Sequence, residues 1–412
     1  MSGSIRVTLP LGRGRLDDVV WRSLAGRLLR SSPIEIQDAS VRITKSSGTR
    51  TRGTVRVRNP AAYREVLRAG TVGLGRTYAA GWWEADDLVW VLRLLTRRLA
   101  RPVGLRGRLL SLPGLARGAR RRRRAGKHQD RLDVRAHYDL GDDFFAMFLD
   151  PTLTYSCAYF TTPGMTLEQA SVAKLERICE LAEIGPDDEV MEIGTGWGSF
   201  ALHAAERHGC SVTTTTVSAR QFDFAQKRVA ERGLESMVTL LDLDYRELSG
   251  QFDKVVSIEM IEAVGWRQLD AFFGSCARLL RPGGIAVVQA IVIDDRLFET
   301  SKRRIDFIKS EIFPGSSIPS ARSISDSARR AGLRMVESHD LGLHYSETLA
   351  RWRRRLHEPR DSTAMGCFDD SFLRLWDFYL AYCEAGFSER RISAMHFVFE
   401  APGAVRRRAM PA

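Results

Sequence analysis

The segment Glu192-Ile-Gly-Thr-Gly-Trp-Gly198 constrains the fold of this chain more than any other feature. It follows an apolar run, Glu189 to Ile193, with the pattern of a buried strand, and it precedes a helical pattern that begins at Phe200. Glycines at this position let the backbone turn sharply and approach a ligand where a Cβ atom would collide. The segment therefore predicts a ligand-binding turn at the end of a buried strand.

Strand and helix patterns alternate on both sides of this turn. Helices are predicted over 168–184, 200–208, 221–232 and 269–280, and strands over 189–193, 211–217, 238–243, 254–258 and 285–293. Strands separated by helices of about ten to fifteen residues indicate βαβ units. The predicted fold class is α/β, with a doubly wound, Rossmann-like parallel sheet.

The first part of the chain has a different pattern. Short alternating stretches near Ile34 and Thr54 predict strands, and helical segments follow them. We therefore predict a smaller N-terminal α+β domain over residues 1–96, a basic linker over 97–131 and the α/β domain over 132–412.

The linker is the most basic part of a chain whose formal net charge is +12. It holds thirteen Arg or Lys, including the run Arg120 to Arg124, and this excess indicates an anionic partner. Two compatible interpretations are a solvated linker and a contact with anionic lipid, to which each charge contributes about 1 kcal/mol. The run lacks interleaved aromatic residues and any recognised RNA-binding motif, so no nucleic-acid partner is predicted.

The cysteine pattern indicates the cellular compartment. The six cysteines include no C-x-x-C pair, which favours reduced thiols in a cytoplasmic protein, and no metal site is predicted. We see no signal-peptide pattern, and no run approaches the ~20 apolar residues of a membrane-spanning helix. The predicted location is cytoplasmic, with peripheral attachment to the inner face of the membrane.

The glycine spacing distinguishes two classes of cofactor. G-x-G-x-G preceded by Glu192 differs from the G-x-G-x-x-G of dinucleotide enzymes, and the next strand ends without the acid that binds their ribose. The turn resembles the class I methyltransferase signature. That resemblance implies S-adenosyl-L-methionine as cofactor, with Glu192 engaging its amino group.

Further blocks make the resemblance specific. They are His137 to Phe145, Leu149 to Phe160, Ser257 to Gly265, Leu280 to Gly284, Ile312 to Ser320 and Phe378 to Phe387. Together they resemble the cyclopropane-fatty-acyl-phospholipid synthase family, including the mycolic acid cyclopropane synthases, over roughly residues 65 to 400. The resemblance implies a methyltransferase sheet that adds a one-carbon unit to the double bond of an unsaturated phospholipid acyl chain and forms a cyclopropane. The N-terminal domain is then expected to bind lipid or membrane, or to form a homodimer.

The resemblance also implies roles for particular residues. Cofactor binding is assigned to Tyr155, Ser156, Glu192, Gly194, Thr195, Gly196, Trp197, Gly198, Thr216, Ser218, Gln221, Asp244 and Tyr245. A bicarbonate ion that acts as general base is assigned to the Cys157 backbone region, Glu262, Ile291 and Tyr345, with Gln289 beside it. Cys383 matches a cysteine proposed as active in the family.

One departure from the family pattern leaves the product open. Gln289 stands where the family often has His, and an amide hydrogen-bonds an anion but cannot shuttle a proton. The alternative product is a methylene-branched acyl chain, which a partner reductase converts to a methyl branch of the 10-methyl, tuberculostearic type. More distant alternatives are an RNA methyltransferase and a non-catalytic lipid-binding protein.

Overall fold

The computed structural model describes residues 34–38, 41–43, 53–100, 141–358 and 368–403, which form two compact units. The smaller unit comprises the described residues of Met1–Arg122, Ile305–Ile312 and Leu356–Glu389, and the larger unit comprises the remainder. The smaller unit therefore includes two later segments that sequence analysis placed in the α/β domain. The predicted linker lies mostly outside the described residues.

The smaller unit contains a four-stranded sheet with the order β2-β1-β3-β4. Its strands are β1 (Ile34–Asp38), β2 (Val41–Ile43), β3 (Gly53–Val57) and β4 (Trp83–Ala85). Its helices are α1 (Ala61–Ala69), α2 (Thr71–Ala79), α3 (Leu88–Ala100), a π-helical turn (Ile308–Ile312) and a late helix, Asp370–Ser388. The rings of Tyr78, Trp83 and Phe378 pack together with centroids 5.0–6.3 Å apart.

Two glycines provide a test of packing in these units. A Cβ atom on Gly75, in α2, would lie 2.3 Å from the Phe307 ring, whereas one on Gly274, an exposed position of a helix in the larger unit, would meet nothing within 4 Å. We expect Gly75→Ala to destabilise the smaller unit by about 1–3 kcal/mol. Gly274→Ala should stabilise the larger unit by about 0.4–1 kcal/mol. Calorimetric unfolding of both variants measures this, and equal shifts would contradict the packing described.

The larger unit contains a seven-stranded sheet with the order β10-β11-β9-β8-β5-β6-β7. Its strands are β5 (Glu189–Ile193), β6 (Ser211–Thr215), β7 (Val238–Leu241), β8 (Phe252–Ile258), β9 (Leu280–Ile293), β10 (Arg334–Asp340) and β11 (Ile392–Glu400). Strands β5 to β9 are parallel to one another, and β11 runs antiparallel to β9 and β10. The predicted α/β class is confirmed, and the antiparallel pair was not assigned from the sequence.

Helices of the larger unit connect these strands. They are α4 (Asp142–Phe148), α5 (Leu167–Ala182), α6 (Ser199–His208), α7 (Ala219–Glu231), α8 (Ile261–Val264), α9 (Leu269–Leu279), α10 (Asp295–Ser301), α11 (Ala321–Arg330) and α12 (Gly342–Leu356), so that the late helix of the smaller unit is α13. Alternate strand residues enter two separate apolar clusters, Met191 and Val255 on one face and Val190 and Val256 on the other. Both faces of the sheet are buried, as in doubly wound proteins. Among the described residues, no helix is both long and apolar enough to cross a membrane.

Candidate active site

A cavity of about 180 Å³ opens where the carboxyl ends of β5, β6 and β8 lie side by side. This is more than ten times the space that one enclosed water requires. Eleven of the predicted cofactor-binding residues line it: Tyr155, Ser156, Glu192, Gly194, Thr195, Gly196, Trp197, Thr216, Gln221, Asp244 and Tyr245. Apolar side chains complete the wall: Leu153, Leu175, Ile193, Phe200, Ile258, Met260 and Val264.

The two remaining predicted residues support the wall from behind. Gly198 begins α6 with a φ of 85°, and a Cβ atom there would lie 3.3 Å from the Cβ of Ala225. Ser218 caps α7, where its side-chain oxygen accepts a hydrogen bond from the Gln221 backbone N–H. Gln221 in turn accepts a bond of 2.9 Å from the Thr216 hydroxyl. Both residues thus position the cavity wall without lining it.

The glycine turn is held against the neighbouring strand. The N–H groups of Gly194 and Thr195 donate to the Thr215 carbonyl over 3.1 and 2.9 Å. Gly194 has a φ of 102°, which disfavours any other residue, and a Cβ atom there would lie 3.1 Å from Met260. The turn therefore brings bare backbone to the edge of the cavity.

Glu192 is a buried acid at the tip of β5. One carboxylate oxygen accepts a hydrogen bond of 2.6 Å from the Thr214 hydroxyl. Burial raises the pKa of Glu192 to about 8, against the opposing effects of Thr214 and the nearby Lys174. A desolvated carboxylate of this kind is stabilised by a cationic ligand group.

Asp244 has a partner that the sequence did not predict. Its two carboxylate oxygens accept hydrogen bonds of 2.7 Å from Nε and Nη2 of Arg246. The Arg246 guanidinium also lies 5.2 Å from the ring centre of Tyr245. The site suits a ligand with hydroxyl and ammonium groups, because it offers the fixed Asp244 carboxylate, the Thr216 hydroxyl, the Gln221 amide and the acid Glu192. The wall residues thus fit S-adenosylmethionine.

The donors predicted for a bicarbonate ion converge on a side chain that sequence analysis missed, Glu259. Its Oε1 accepts bonds from the Cys157 backbone N–H over 2.9 Å and from the Gln289 amide over 2.7 Å. Its Oε2 accepts a bond of 2.6 Å from the Tyr345 hydroxyl. Glu259 alone among these four residues lines the cavity. The sequence feature that could have identified Glu259 is its position as an acid directly after the apolar strand β8.

Glu262, the acid that was predicted, is in a different environment. One of its oxygens accepts a hydrogen bond from the Ile291 backbone N–H, and Oε2 is buried without a hydrogen-bond partner among the described residues. Burial and the nearby Glu259 raise the pKa of Glu262 to about 8. The predicted bicarbonate ligands Glu262 and Ile291 thus contact each other, whereas the donors Cys157, Gln289 and Tyr345 contact Glu259.

Gln289 is held in one orientation. Its amide nitrogen donates to Glu259, and its oxygen lies 2.8 Å from Nε2 of His396, on the paired strand β11. Both Gln289 and His396 are fully buried, and burial lowers the pKa of His396 well below its usual value. A neutral His396 thus fixes the amide as a donor to Glu259. Sequence analysis did not identify His396.

Lys174 supplies the nearby positive charge. It is fully buried on α5, and its ammonium donates a hydrogen bond of 2.9 Å to the Ser156 hydroxyl. Burial lowers the pKa of Lys174 to about 8, although Glu259 and Glu192 act in the opposite direction. The only sequence signal was a lysine on the apolar face of a helix.

The two predicted cysteines differ from reactive thiols. The Cys157 thiol is fully buried, and burial raises its pKa well above the usual value, so its contribution to the site is its backbone N–H. Cys383 lies on α13 in the smaller unit and is not among the residues that line the cavity. Burial also raises the pKa of the Cys383 thiol. Neither environment favours a thiolate.

Three side chains of the types that bind metal ions lie close together on α5 and α6. Cys179, His203 and His208 place their ligand atoms within 4.8 Å of one another. The carboxylate of Glu176 lies 3.0 Å from His203 and 3.3 Å from His208. Burial raises the pKa of the Cys179 thiol. The histidines thus have a carboxylate partner, and the thiol is protonated.

Comparison with known proteins gives consistent matches. A profile of the mycolic acid cyclopropane synthetase family matches residues 125–397. The tuberculostearic acid methyltransferase of Mycobacterium tuberculosis is 37% identical over 391 residues, covering 89% of this chain and 88% of that protein. The cyclopropane-fatty-acyl-phospholipid synthase of Escherichia coli K12 is 34% identical over 386 residues, covering 92% and 93%. A crystal structure of the mycolic acid cyclopropane synthase CmaA1 with SAH and CTAB is 31% identical, with a TM-score of 0.62, covering 66% of this chain and 98% of that one.

Proposed function

Because the chain belongs to the mycolic acid cyclopropane synthetase family and is an S-adenosylmethionine-dependent methyltransferase, we propose that it methylates a double-bond carbon of an unsaturated phospholipid acyl chain. One observation carries the proposal. The cavity beside the glycine turn is lined by Glu192, by apolar residues and by Glu259. Such a site holds a cationic cofactor next to an alkyl chain, with a carboxylate within the same space.

The chain's own residues meet the needs of this reaction. An alkene is a weak nucleophile, so the acyl chain must be held in line with the reacting methyl, which contributes up to about 7–11 kcal/mol in well-oriented models. Apolar side chains such as Leu153, Ile258 and Met260 exclude the water that would capture a carbocation. The face of Tyr155 stabilises a nearby positive charge by about 0.5–2 kcal/mol.

Two products follow from this transfer. The Escherichia coli relative, a cyclopropane-fatty-acyl-phospholipid synthase, supports ring closure, the product expected from the sequence. The Mycobacterium tuberculosis relative, a tuberculostearic acid methyltransferase, supports a branched chain, and so does Gln289, whose amide cannot shuttle a proton. A methyl-branched product by this route also requires a partner reductase.

The proposal includes the membrane. The basic segment 97–131, most of which lies outside the described residues, supplies the charge for contact with an anionic lipid surface. Deletion of Arg120–Arg124 should weaken binding to anionic vesicles and reduce its dependence on salt. Unchanged binding would remove this part of the proposal.

Labelled methyl transfer tests the substrate class. We expect purified protein with methyl-labelled S-adenosylmethionine to label the lipid extract of monounsaturated phosphatidylglycerol vesicles. Vesicles of the saturated lipid are the matched control and should remain unlabelled, because they offer no π bond. Label in added RNA but not in lipid would replace the proposal with the RNA methyltransferase alternative.

A further inference from the structure

Glu259 is the meeting point of three segments that are far apart in the sequence. Donors reach its carboxylate from the backbone at Cys157, from the strand residue Gln289 and from the helix residue Tyr345. A carboxylate offers about four acceptor positions, so these three bonds leave one. Since Glu259 lines the cavity and its three partners do not, the remaining position is the one open to a ligand.

The backbone at Glu259 is unusual. Its φ is 51°, in the left-handed region, where a residue other than glycine costs about 1–2 kcal/mol. Such conformations persist where the surrounding structure determines them, and they are concentrated at functional sites. The Glu259 backbone N–H donates a hydrogen bond of 2.9 Å to the Gln289 carbonyl, and together with the three side-chain bonds it holds Glu259 in this conformation. The strained backbone conformation of Glu259 thus places its carboxylate at the cavity.

The charge of the site favours an ionised Glu259. All three of its partners donate hydrogen bonds, which a carboxylate accepts and which a protonated acid cannot accept equally. Burial raises the pKa of Glu259, and the three donors and the nearby positive charge of Lys174 act in the opposite direction. Glu262 has one backbone donor and an unpaired oxygen, so it is the member of the pair that carries the proton. Glu259 is therefore the available proton acceptor.

We propose that Glu259 is the general base of this enzyme and replaces the bicarbonate ion that family resemblance implied at the same donors. This inference rests on the proposed function, since it assigns the residue that completes methyl transfer to an acyl double bond. The general base is then a side chain of the protein itself, so the reaction requires no bound anion.

The proton has a defined origin and destination. When bound, S-adenosylmethionine supplies an electrophilic methyl, and the C–S electron pair stays on sulfur as that methyl leaves. The π electrons of the alkene form the new C–C bond and leave a positive charge on the second alkene carbon. Glu259 then accepts one proton from the transferred methyl. The C–H electron pair closes a ring onto the cationic carbon or, after a 1,2-hydride shift, forms the π bond of an exocyclic methylene.

The environment of Glu259 favours the second outcome. Three hydrogen bonds already occupy its oxygens, and each opposes the rise in pKa that burial causes. A carboxylate whose lone pairs are held by three donors removes the proton late, which gives the hydride shift time to move the charge to the methyl-bearing carbon. Gln289 cannot carry the proton onward, so the proton stays on Glu259 until the cavity exchanges with solvent. The expected product is therefore methylene-branched.

Two substitutions at Glu259 test the base. Glu259→Gln keeps the shape of the side chain but removes the proton acceptor, and we expect turnover to fall about 10²–10⁴-fold. Glu259→Gly removes the side chain at a φ that glycine adopts freely, and it leaves the donors of Cys157, Gln289 and Tyr345 facing an empty space. Bicarbonate at millimolar concentration should raise the turnover of the Gly variant at least tenfold and should leave the turnover of the Gln variant unchanged.

A matched control separates this effect from changes in the backbone. Glu183, at the end of α5, also has a left-handed φ, 53°, and does not line the cavity. Glu183→Gly should leave turnover and its independence of bicarbonate unchanged. Carbon-13 NMR of labelled bicarbonate gives a readout that does not depend on turnover, with exchange broadening expected for Glu259→Gly and absent for wild type and Glu183→Gly. Calorimetric binding of S-adenosylhomocysteine establishes that each variant is folded.

The results that overturn the inference differ from those that overturn the function. Wild-type turnover that requires bicarbonate, or full turnover in Glu259→Gln, shows that Glu259 is not the base while methyl transfer to lipid stands. If wild-type protein transfers no methyl to monounsaturated lipid, the proposed function fails.

Discussion

Replacement of Glu192 by alanine is expected to weaken the binding of S-adenosylhomocysteine by at least about thirtyfold. The carboxylate is buried at the tip of β5 and faces the cavity beside the glycine turn. Removing one member of a buried, charged hydrogen-bonded pair costs about 2–5 kcal/mol, because the other charge is left without a partner. Isothermal titration calorimetry measures the change.

The same residue predicts how binding depends on pH. Because burial raises the pKa of Glu192 to about 8, the ligand-free protein holds a proton there below that pH. Binding of an ammonium group selects the ionised carboxylate, so affinity should fall as pH decreases from about 8 toward 6. An α-amino group loses its own charge above about 7.7–8.0, which limits affinity on the alkaline side.

Two further variants at this strand serve as controls. Glu192→Gln keeps the side-chain shape, so its affinity should be weak and nearly independent of pH on the acid side. Glu189→Gln changes an exposed acid of the same strand, which pairs with Arg281 outside the cavity, and should bind as wild type does. Wild-type affinity in Glu192→Ala would show that Glu192 does not contact the cofactor.

Replacement of Trp352 by alanine should destabilise the larger unit by about 3–5 kcal/mol. Trp352 is fully buried on α12, and its ring lies 5.3 Å from Tyr155, 5.9 Å from Phe148 and 6.1 Å from Tyr345. Tyr155 lines the cavity and Tyr345 donates to Glu259, so this ring connects the core to the site. Turnover should therefore fall even where the variant remains folded.

Denaturant unfolding and turnover of matched variants test this role. Trp352→Phe keeps an aromatic ring and should lose less stability than Trp352→Ala. Trp266→Ala removes a half-buried ring that lies against Arg267 and Lys302, and we expect a loss well below 3–5 kcal/mol. Similar losses at Trp352 and Trp266 would contradict the packing around Tyr155 and Tyr345.

The sequence predicted the elements that carry their own local signal. The helix now seen at Leu167–Ala182 and the strand Glu189–Ile193 were predicted within two residues, because apolar periodicity and the glycine turn mark them directly. The predicted cofactor residues lie on this framework. Strands β10 and β11 were missed because β11 pairs with both β9 and β10, which joins segments that are far apart in the sequence.

The centre of the site was less predictable for the same reason. Cys157, Glu259, Gln289 and Tyr345 meet only because four separate segments come together, and a single sequence does not show that three donors converge on Glu259. Family resemblance directed attention to Glu262, three residues away in the sequence. Lys174 and His396 have no recognisable motif, and their roles follow from burial and partners alone.

The position of the transferred carbon in the lipid product tests the proposed reaction most directly. Purified protein is supplied with carbon-13-methyl S-adenosylmethionine and monounsaturated phospholipid, and the lipid product is read by proton and carbon NMR. We predict that the label appears as an exocyclic methylene with vinyl protons. Labelled ring carbons with upfield cyclopropane protons would contradict the late proton removal assigned to Glu259, and unlabelled lipid would contradict methyl transfer to the acyl chain itself.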